Sequence, residues 1–309
     1  MGSRGGAAGF RLLSILAGLS EQGDGKMRKA IMAGMAAASL LALSACNKQP
    51  AASGNEANAT EATSNSTAAA TDINGTWKAD IDSVQFDQKP DEMLLQNGTF
   101  SCKSCTPAYS VPADGAFHPV GLPYADSDSV KVVDPHTVTE TAKKGGKQVS
   151  VTTMTVSADG NTLNGKFTDS STPGTPGTGE FSETRVGAAP AGAHAISGQW
   201  KPTKLSNFND AALTFTINVN GNTYHSSSPD GTSFDATIGG GDVPIKGDIA
   251  GTTAAVSKGG DNAYKVTRKR GGKVVGETTF TLGADGKLNA ESHNVLSGST
   301  LKWTATKQS

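Results

Sequence analysis

The residues of this chain whose chemistry depends most on spacing are its three cysteines. Two form Cys102-Lys103-Ser104-Cys105, a spacing with three chemical readings. A redox pair needs a helix N-terminus to depress one thiol pKa. Here Thr99-Phe100-Ser101 has strand composition and Thr106-Pro107 blocks helix entry. A zinc half-site needs a second pair of ligands at suitable spacing, and the sequence offers none. A structural disulfide in an oxidising compartment is therefore favoured, with the other two as alternatives. The histidines (His118, His136, His194, His225 and His293) stand far apart without ligand spacing and read as solvated loop residues. Asp126-Ser127-Asp128 could offer oxygens to calcium, but no further ligands follow at loop spacing, so a plain turn is expected. The sequence has no nucleophile elbow, phosphate-cradling glycine loop or HExxH. These residues predict a protein that is not an enzyme and has no cofactor and no metal site.

Charge narrows the partners. The chain has 27 basic and 28 acidic residues. Residues 1–45 hold five basic and two acidic side chains, which leaves 22 against 26 in the remainder. No polycationic surface results, so nucleic acid is not an expected partner. With 38 glycines and only 6% aromatics, small cores and many turns are expected.

The third cysteine, Cys46, closes the stretch MRKAIMAGMAAASLLALSAC that begins at Met27. Arg28 and Lys29 give a positive start, and residues 30–43 are apolar but too few to span a bilayer as a helix. Leu43-Ser44-Ala45-Cys46 resembles the bacterial lipobox. That resemblance implies a signal peptide over 27–45 and a diacylglyceryl group on the Cys46 sulfur. Together with an amide-linked third chain, this would give effectively permanent anchoring. Asn47 is not the aspartate associated with inner-membrane retention, so the resemblance implies the outer membrane, facing the periplasm. Residues 1–26 do not fit this plan and read as an upstream extension. Residues 46–71, rich in Ala, Asn, Ser, Thr and Glu, predict a disordered tether.

Beyond the tether the chain repeats itself. Ile73-Asn-Gly75-Thr-Trp77-Lys78 returns as Ile196-Ser-Gly198-Gln-Trp200-Lys201, and residues 145–164 return at 271–290. The offsets are 123 and 126 residues. Two homologous domains follow, 72–187 and 196–309, joined by a small-residue linker over 188–195. Each reads as all-β. Lys147 to Ser157 alternates and is β-branched, and Asn97-Gly98, Asp114-Gly115, Gly145-Gly146 and Asp159-Gly160 supply hairpin turns. About eight antiparallel strands per copy, with no helix after residue 45, predict an up-and-down barrel or a sandwich.

Gly75-x-Trp77 and Gly198-x-Trp200 are similar to the Gly-x-Trp motif that opens the first strand of lipocalins and their calycin relatives. The whole pattern also resembles a family of uncharacterised lipocalin-like lipoproteins of Gram-negative bacteria. The resemblance implies two lipocalin-like barrels, each plugged at one end by its Trp under a basic residue of the last strand. Arg185 and Lys307 stand where those residues would. A cation over an indole is worth about 0.5–2 kcal/mol. The function this implies is non-catalytic binding of a small apolar molecule or lipid, with Trp77, Phe117, Tyr124, Trp200, Phe215, Tyr224 and Phe280 as possible lining. The alternative is an enzyme inhibitor or envelope scaffold acting through the loop that Cys102 and Cys105 would pin; Ser226, Ser227 and Ser228 occupy that region in the second copy.

Overall fold

The computed structural model describes residues 72–309. The extension, the leader with Cys46 and the tether lie outside the described residues. Two nearly closed, antiparallel ten-stranded barrels account for the described chain. Barrel 1 holds β2 (Asp91–Gln96), β3 (Thr99–Cys102), β4 (Tyr109–Pro112), β5 (His118–Pro119) and β6 (Ser127–Asp134). It continues with β7 (Thr137–Lys144), β8 (Lys147–Val156), β9 (Thr162–Asp169), β10 (Gly177–Gly187) and β11 (Gly198–Ser206). Barrel 2 takes β1 (Gly75–Asp87), β12 (Thr214–Asn220), β13 (Thr223–Ser227), β14 (Ser233–Thr237) and β15 (Val243–Pro244). Its remaining strands are β16 (Thr253–Gly260), β17 (Ala263–Arg270), β18 (Lys273–Leu282), β19 (Leu288–Asn294) and β20 (Ser299–Lys307). Ten strands per barrel exceed the expected eight or so, and β5 and β15 are only two residues long. A single helical turn, α1 (Asp210–Leu213), precedes β12.

The sequence repeats and the barrels are not the same units. Strand β1, the start of the first copy, lies between β12 and β20 of the second. Strand β11, the start of the second copy, lies between β2 and β10 of the first. The copies have exchanged their first strands, so neither 72–187 nor 196–309 contains all the strands of its own barrel. Turn chemistry gives a local reason. The β2–β3 hairpin turns on Asn97 and Gly98, both at positive φ, and the β7–β8 and β17–β18 hairpins turn on Gly pairs. The β1–β2 connection is Gln88-Lys89-Pro90, and none of the three is at positive φ. Proline also holds its predecessor extended. The chain therefore runs straight on into the neighbouring barrel instead of folding back.

The second crossover, between β11 and β12, carries α1. Its N-cap Asn209 accepts from Ala212 N and donates through Nδ2 to Pro176 O at 2.9 Å, tying the crossover to the segment before β10. Alternation sends one side of every long strand inward. Phe215, Phe280 and Trp303 stack edge-on or tilted inside barrel 2, and Met93, Leu95, Phe100, Met154 and Phe167 pack inside barrel 1. Val84, Phe86 and Phe208 pack against both cores and form the waist between them.

Candidate functional site

The Gly-x-Trp stretches sit at the barrel ends, and the exchange decides their partners. Trp77 pairs across from Lys307, and Trp200 across from Arg185. Each basic residue therefore covers the tryptophan of the other sequence copy, a correction to the within-copy pairing that the resemblance implies. Both indoles are fully buried and donate from Nε1 to a carbonyl four residues back, Trp77 to Ile73 O and Trp200 to Ile196 O, each at 2.8 Å. The glycines also have a physical reason. Gly75 and Gly198 lie at φ of 129° and 125°, and a Cβ would meet Lys307 Cε at 2.6 Å or Arg185 Nη1 at 2.5 Å. The two ends are not equal. Arg185 lies 4.0 Å from the Trp200 ring and donates to Gly160 O, Ser197 O and Ala195 O at 2.5, 2.6 and 2.7 Å. Lys307 Nζ stands 5.9 Å from the Trp77 ring and pairs with Asp72 at 3.4 Å in the open.

Inside barrel 1 the structure brings together a tyrosine and acids of which sequence reasoning singled out only Asp128. Asp91 on β2 and Glu183 on β10, the two strands that flank β11, are buried, and neither Glu183 oxygen has a hydrogen-bond partner among the described residues. Burial, and then the Asp91 charge, push the Glu183 carboxyl well above its usual range. Further along, Tyr109 Oη lies 2.8 Å from Glu140 Oε1 and 3.1 Å from Asp128 Oδ2. Burial, reinforced by the Glu140 charge, raises Asp128 to about 8, and burial also raises Glu140. Tyr109 has one phenolic proton to share between the two carboxyls. The expected turn at Asp126-Ser127-Asp128 is instead the start of β6, which points Asp128 inward and leaves Asp126 exposed.

Barrel 2 is the internal control. Strand registers match Asp91 to Phe215, each opposite the barrel-end Trp, and Glu183 to Ala305, each two residues before the covering base. They match Asp128 to Ala254 and Glu140 to Val266, because Asp128–Ala142 and Val130–Glu140 correspond to Ala254–Arg268 and Val256–Val266. Tyr109, opposite Cys102, matches Phe234, opposite Ser226. The fold thus accepts apolar residues at all five positions. Barrel 2 buries arginines instead: Arg268 donates to Thr278 Oγ1 and Arg270 to Thr252 Oγ1, and burial lowers Arg268 to about 10. Aligning the copies position by position would have exposed the acids in the sequence.

Cys102 and Cys105 form a disulfide, with both residues buried against the barrel 1 core. Ser104 is held to β2 by its backbone N–H on Glu92 O and by its hydroxyl, which accepts from Glu92 N at 2.7 Å. Only Lys103 of this segment is exposed. The described histidines stay separate: His118 pairs with Asp114, His225 with Asp235, and His194 bonds to Asp134 O. Among the described residues, no three or more His, Cys, Asp or Glu are grouped to hold a metal, and no helix is long and apolar enough to cross a membrane. Of the proposed lining aromatics, Phe117 is exposed beneath Lys143, while Trp77, Trp200, Phe215, Tyr224 and Phe280 are core. A polar groove of about 530 Å³ runs over the outside of barrel 2 at the β1 bulge, between Gln85, Thr281, Glu291 and Lys302. The class defined by these features is a pair of tandem antiparallel β-barrels with exchanged first strands. Neither protein-family models nor curated proteins give a match to this chain.

Proposed function

We propose that this chain is a lipid-anchored, non-catalytic binding protein that faces the periplasm from the outer membrane, with its ligand site in barrel 1. The lipobox-like Leu43-Ser44-Ala45-Cys46 supports the anchor. The binding reading rests on one observation: two barrels of one fold differ inside. Barrel 2 fills five inward positions with Phe215, Phe234, Ala254, Val266 and Ala305, whereas barrel 1 fills them with four carboxylic acids and a tyrosine. Buried carboxyls destabilise a core, and a homologous core does without them, so packing alone gives no reason for their presence. Met93, Phe100, Met154 and Phe167 supply apolar lining for a small, largely apolar molecule or lipid. The other reading, an inhibitor or scaffold acting through the loop of residues 102–115 that Cys102 and Cys105 pin, draws less support, because its 102–105 segment is held to β2 by Lys103 and Ser104 and buries both cysteines.

Met93 and Met154 are the only methionines after the leader, and both lie inside barrel 1. Methyl-labelled methionine spectra of the mature protein therefore report on that interior alone. Adding 1-octanol should shift both signals saturably. Unmoved signals would remove the binding reading. A fatty-acid analogue should label the wild type and spare Cys46→Ser, and equal labelling of both would remove the anchor.

A further inference from the structure

We infer that Asp91 and Glu183 form a site for a protonated primary amine inside barrel 1, an inference that rests on reading barrel 1 as the ligand site. The charged side chains turned into this barrel are Asp91 on β2, Asp128 on β6, Glu140 on β7, Asp169 on β9, and Glu183 and Arg185 on β10. Arg185 is committed to the barrel end, where three carbonyls and the Trp200 ring hold its guanidinium. The interior is left with five acids and no uncommitted cation among those residues. Glu183 is the sharpest case, because it is 1% exposed and both its oxygens lack a hydrogen-bond partner among the described residues. Asp91, 4% exposed, stands on the other side of β11, where it faces Trp200 while Glu183 faces Pro202 two residues along. A carboxylate in that position is greatly stabilised by a cation that also donates hydrogen bonds.

The donor set favours an ammonium over a metal ion. A stable site for a divalent metal takes several ligands at short range, and no three candidate ligands are grouped here. An ammonium brings one charge and three N–H donors, which a pair of carboxylates can accept. The Ser104 hydroxyl, 3.5 Å from Asp91 Oδ1, adds a polar atom at the same end. Barrel 2 replaces both acids, by Phe215 and Ala305, so the inference places the amine in barrel 1 only.

The test compares octylammonium with 1-octanol on the mature protein at pH 7.5, read by the Met93 and Met154 methyl signals. The alkyl chain is the same, and the amine is protonated as a lysine is at that pH. Octylammonium should bind about tenfold tighter or more, the range of one charge-assisted pair. Glu183→Ala, which copies barrel 2, and the isosteric Glu183→Gln should both lose the advantage of octylammonium over 1-octanol. Equal affinity of the two probes would overturn the amine site and leave apolar binding standing. An advantage that survives in both variants would also overturn it. Movement of the signals by calcium or zinc chloride but not by octylammonium would overturn it in favour of a metal. If no probe moves the signals, both readings fall.

Discussion

Arg185 and Lys307 occupy equivalent positions, yet replacing each by alanine should have clearly different consequences. Arg185→Ala removes three hydrogen bonds to Gly160 O, Ser197 O and Ala195 O, and a guanidinium 4.0 Å from the Trp200 ring. Charged donors are worth about 1.5–3 kcal/mol each in buried settings. Arg185 is half-buried, so water can take over part of each bond, and about 0.5–1 kcal/mol per bond is the fairer figure. The cation–ring contact adds about 0.5–1 kcal/mol, for a total of about 2–4 kcal/mol. Lys307→Ala removes one exposed ion pair at 3.4 Å and a ring contact at 5.9 Å, near the outer limit of that interaction. Its loss should stay under about 1 kcal/mol. Urea unfolding followed by tryptophan fluorescence should show a midpoint shift of about 1–2 M for Arg185→Ala and under about 0.5 M for Lys307→Ala. In a variant that keeps Trp200 as its only tryptophan, Arg185→Ala should also change the native emission. Equal shifts for the two substitutions, or emission that responds to Lys307 instead, would refute the exchanged pairing and its energetics.

The exchange itself can be tested by cross-linking. Thr76 and Thr216 pair across β1 and β12 with hydroxyls 3.0 Å apart, so Thr76→Cys with Thr216→Cys should form a disulfide within one chain. Without exchange, Thr76 would instead face Glu92, the residue that Gln199 faces now, and Thr76→Cys with Glu92→Cys would be the pair that links. A second prediction concerns pH. Folding raises Asp128 from an unfolded value of about 3.9 to about 8. Between those values the folded state keeps a proton that the unfolded state has released. This contribution is therefore complete below about pH 4 and is lost as pH rises toward 8, by at most about 1.4 kcal/mol per pH unit for one proton. Melting temperature should fall from pH 5 to 8, and Asp128→Ala, copying Ala254, should flatten the slope; an unchanged slope would place the titration elsewhere.

The strands were legible because period-2 alternation and Asn-Gly or Gly-Gly turns are local signals. Lys147–Val156 and its counterpart Lys273–Leu282 form where alternation predicts. The disulfide was also legible, since its two cysteines are close in sequence. Strand exchange was not. The two first strands share the Ile-x-Gly-x-Trp-Lys pattern, so the sequence pattern fits β1 and β11 to either barrel. Only the missing hairpin turn at Gln88-Lys89-Pro90 hints at the outcome. The acids were missed for a different reason. Asp91, Glu140 and Glu183 each resemble the outward polar residue of an alternating strand and Asp128 reads as part of a turn, whereas the strand register puts all four on the inner face.

Exchange and the acidic interior bear on each other. A core that buries Asp91, Asp128 and Glu183 is weaker than one with Phe215, Ala254 and Ala305 in the same places. Strand β11 joins β2 to β10 in the middle of the barrel 1 sheet, so releasing it separates β2, β3 and β4 from the rest of that barrel's ladder. Trp200 and Leu205 on that strand fill the barrel 1 core, and its C-terminal end runs through Phe208 at the waist into α1 and β12. Releasing β11 therefore disturbs Phe208, which also packs on the barrel 2 core. Barrel 2, filled by Trp77, Phe215, Phe280 and Trp303, thus resists the opening of barrel 1 through a covalent crossover. A duplicated fold with exchanged strands can in this way hold destabilising, chemically specific side chains in one barrel while the other supplies the stability that keeps them enclosed.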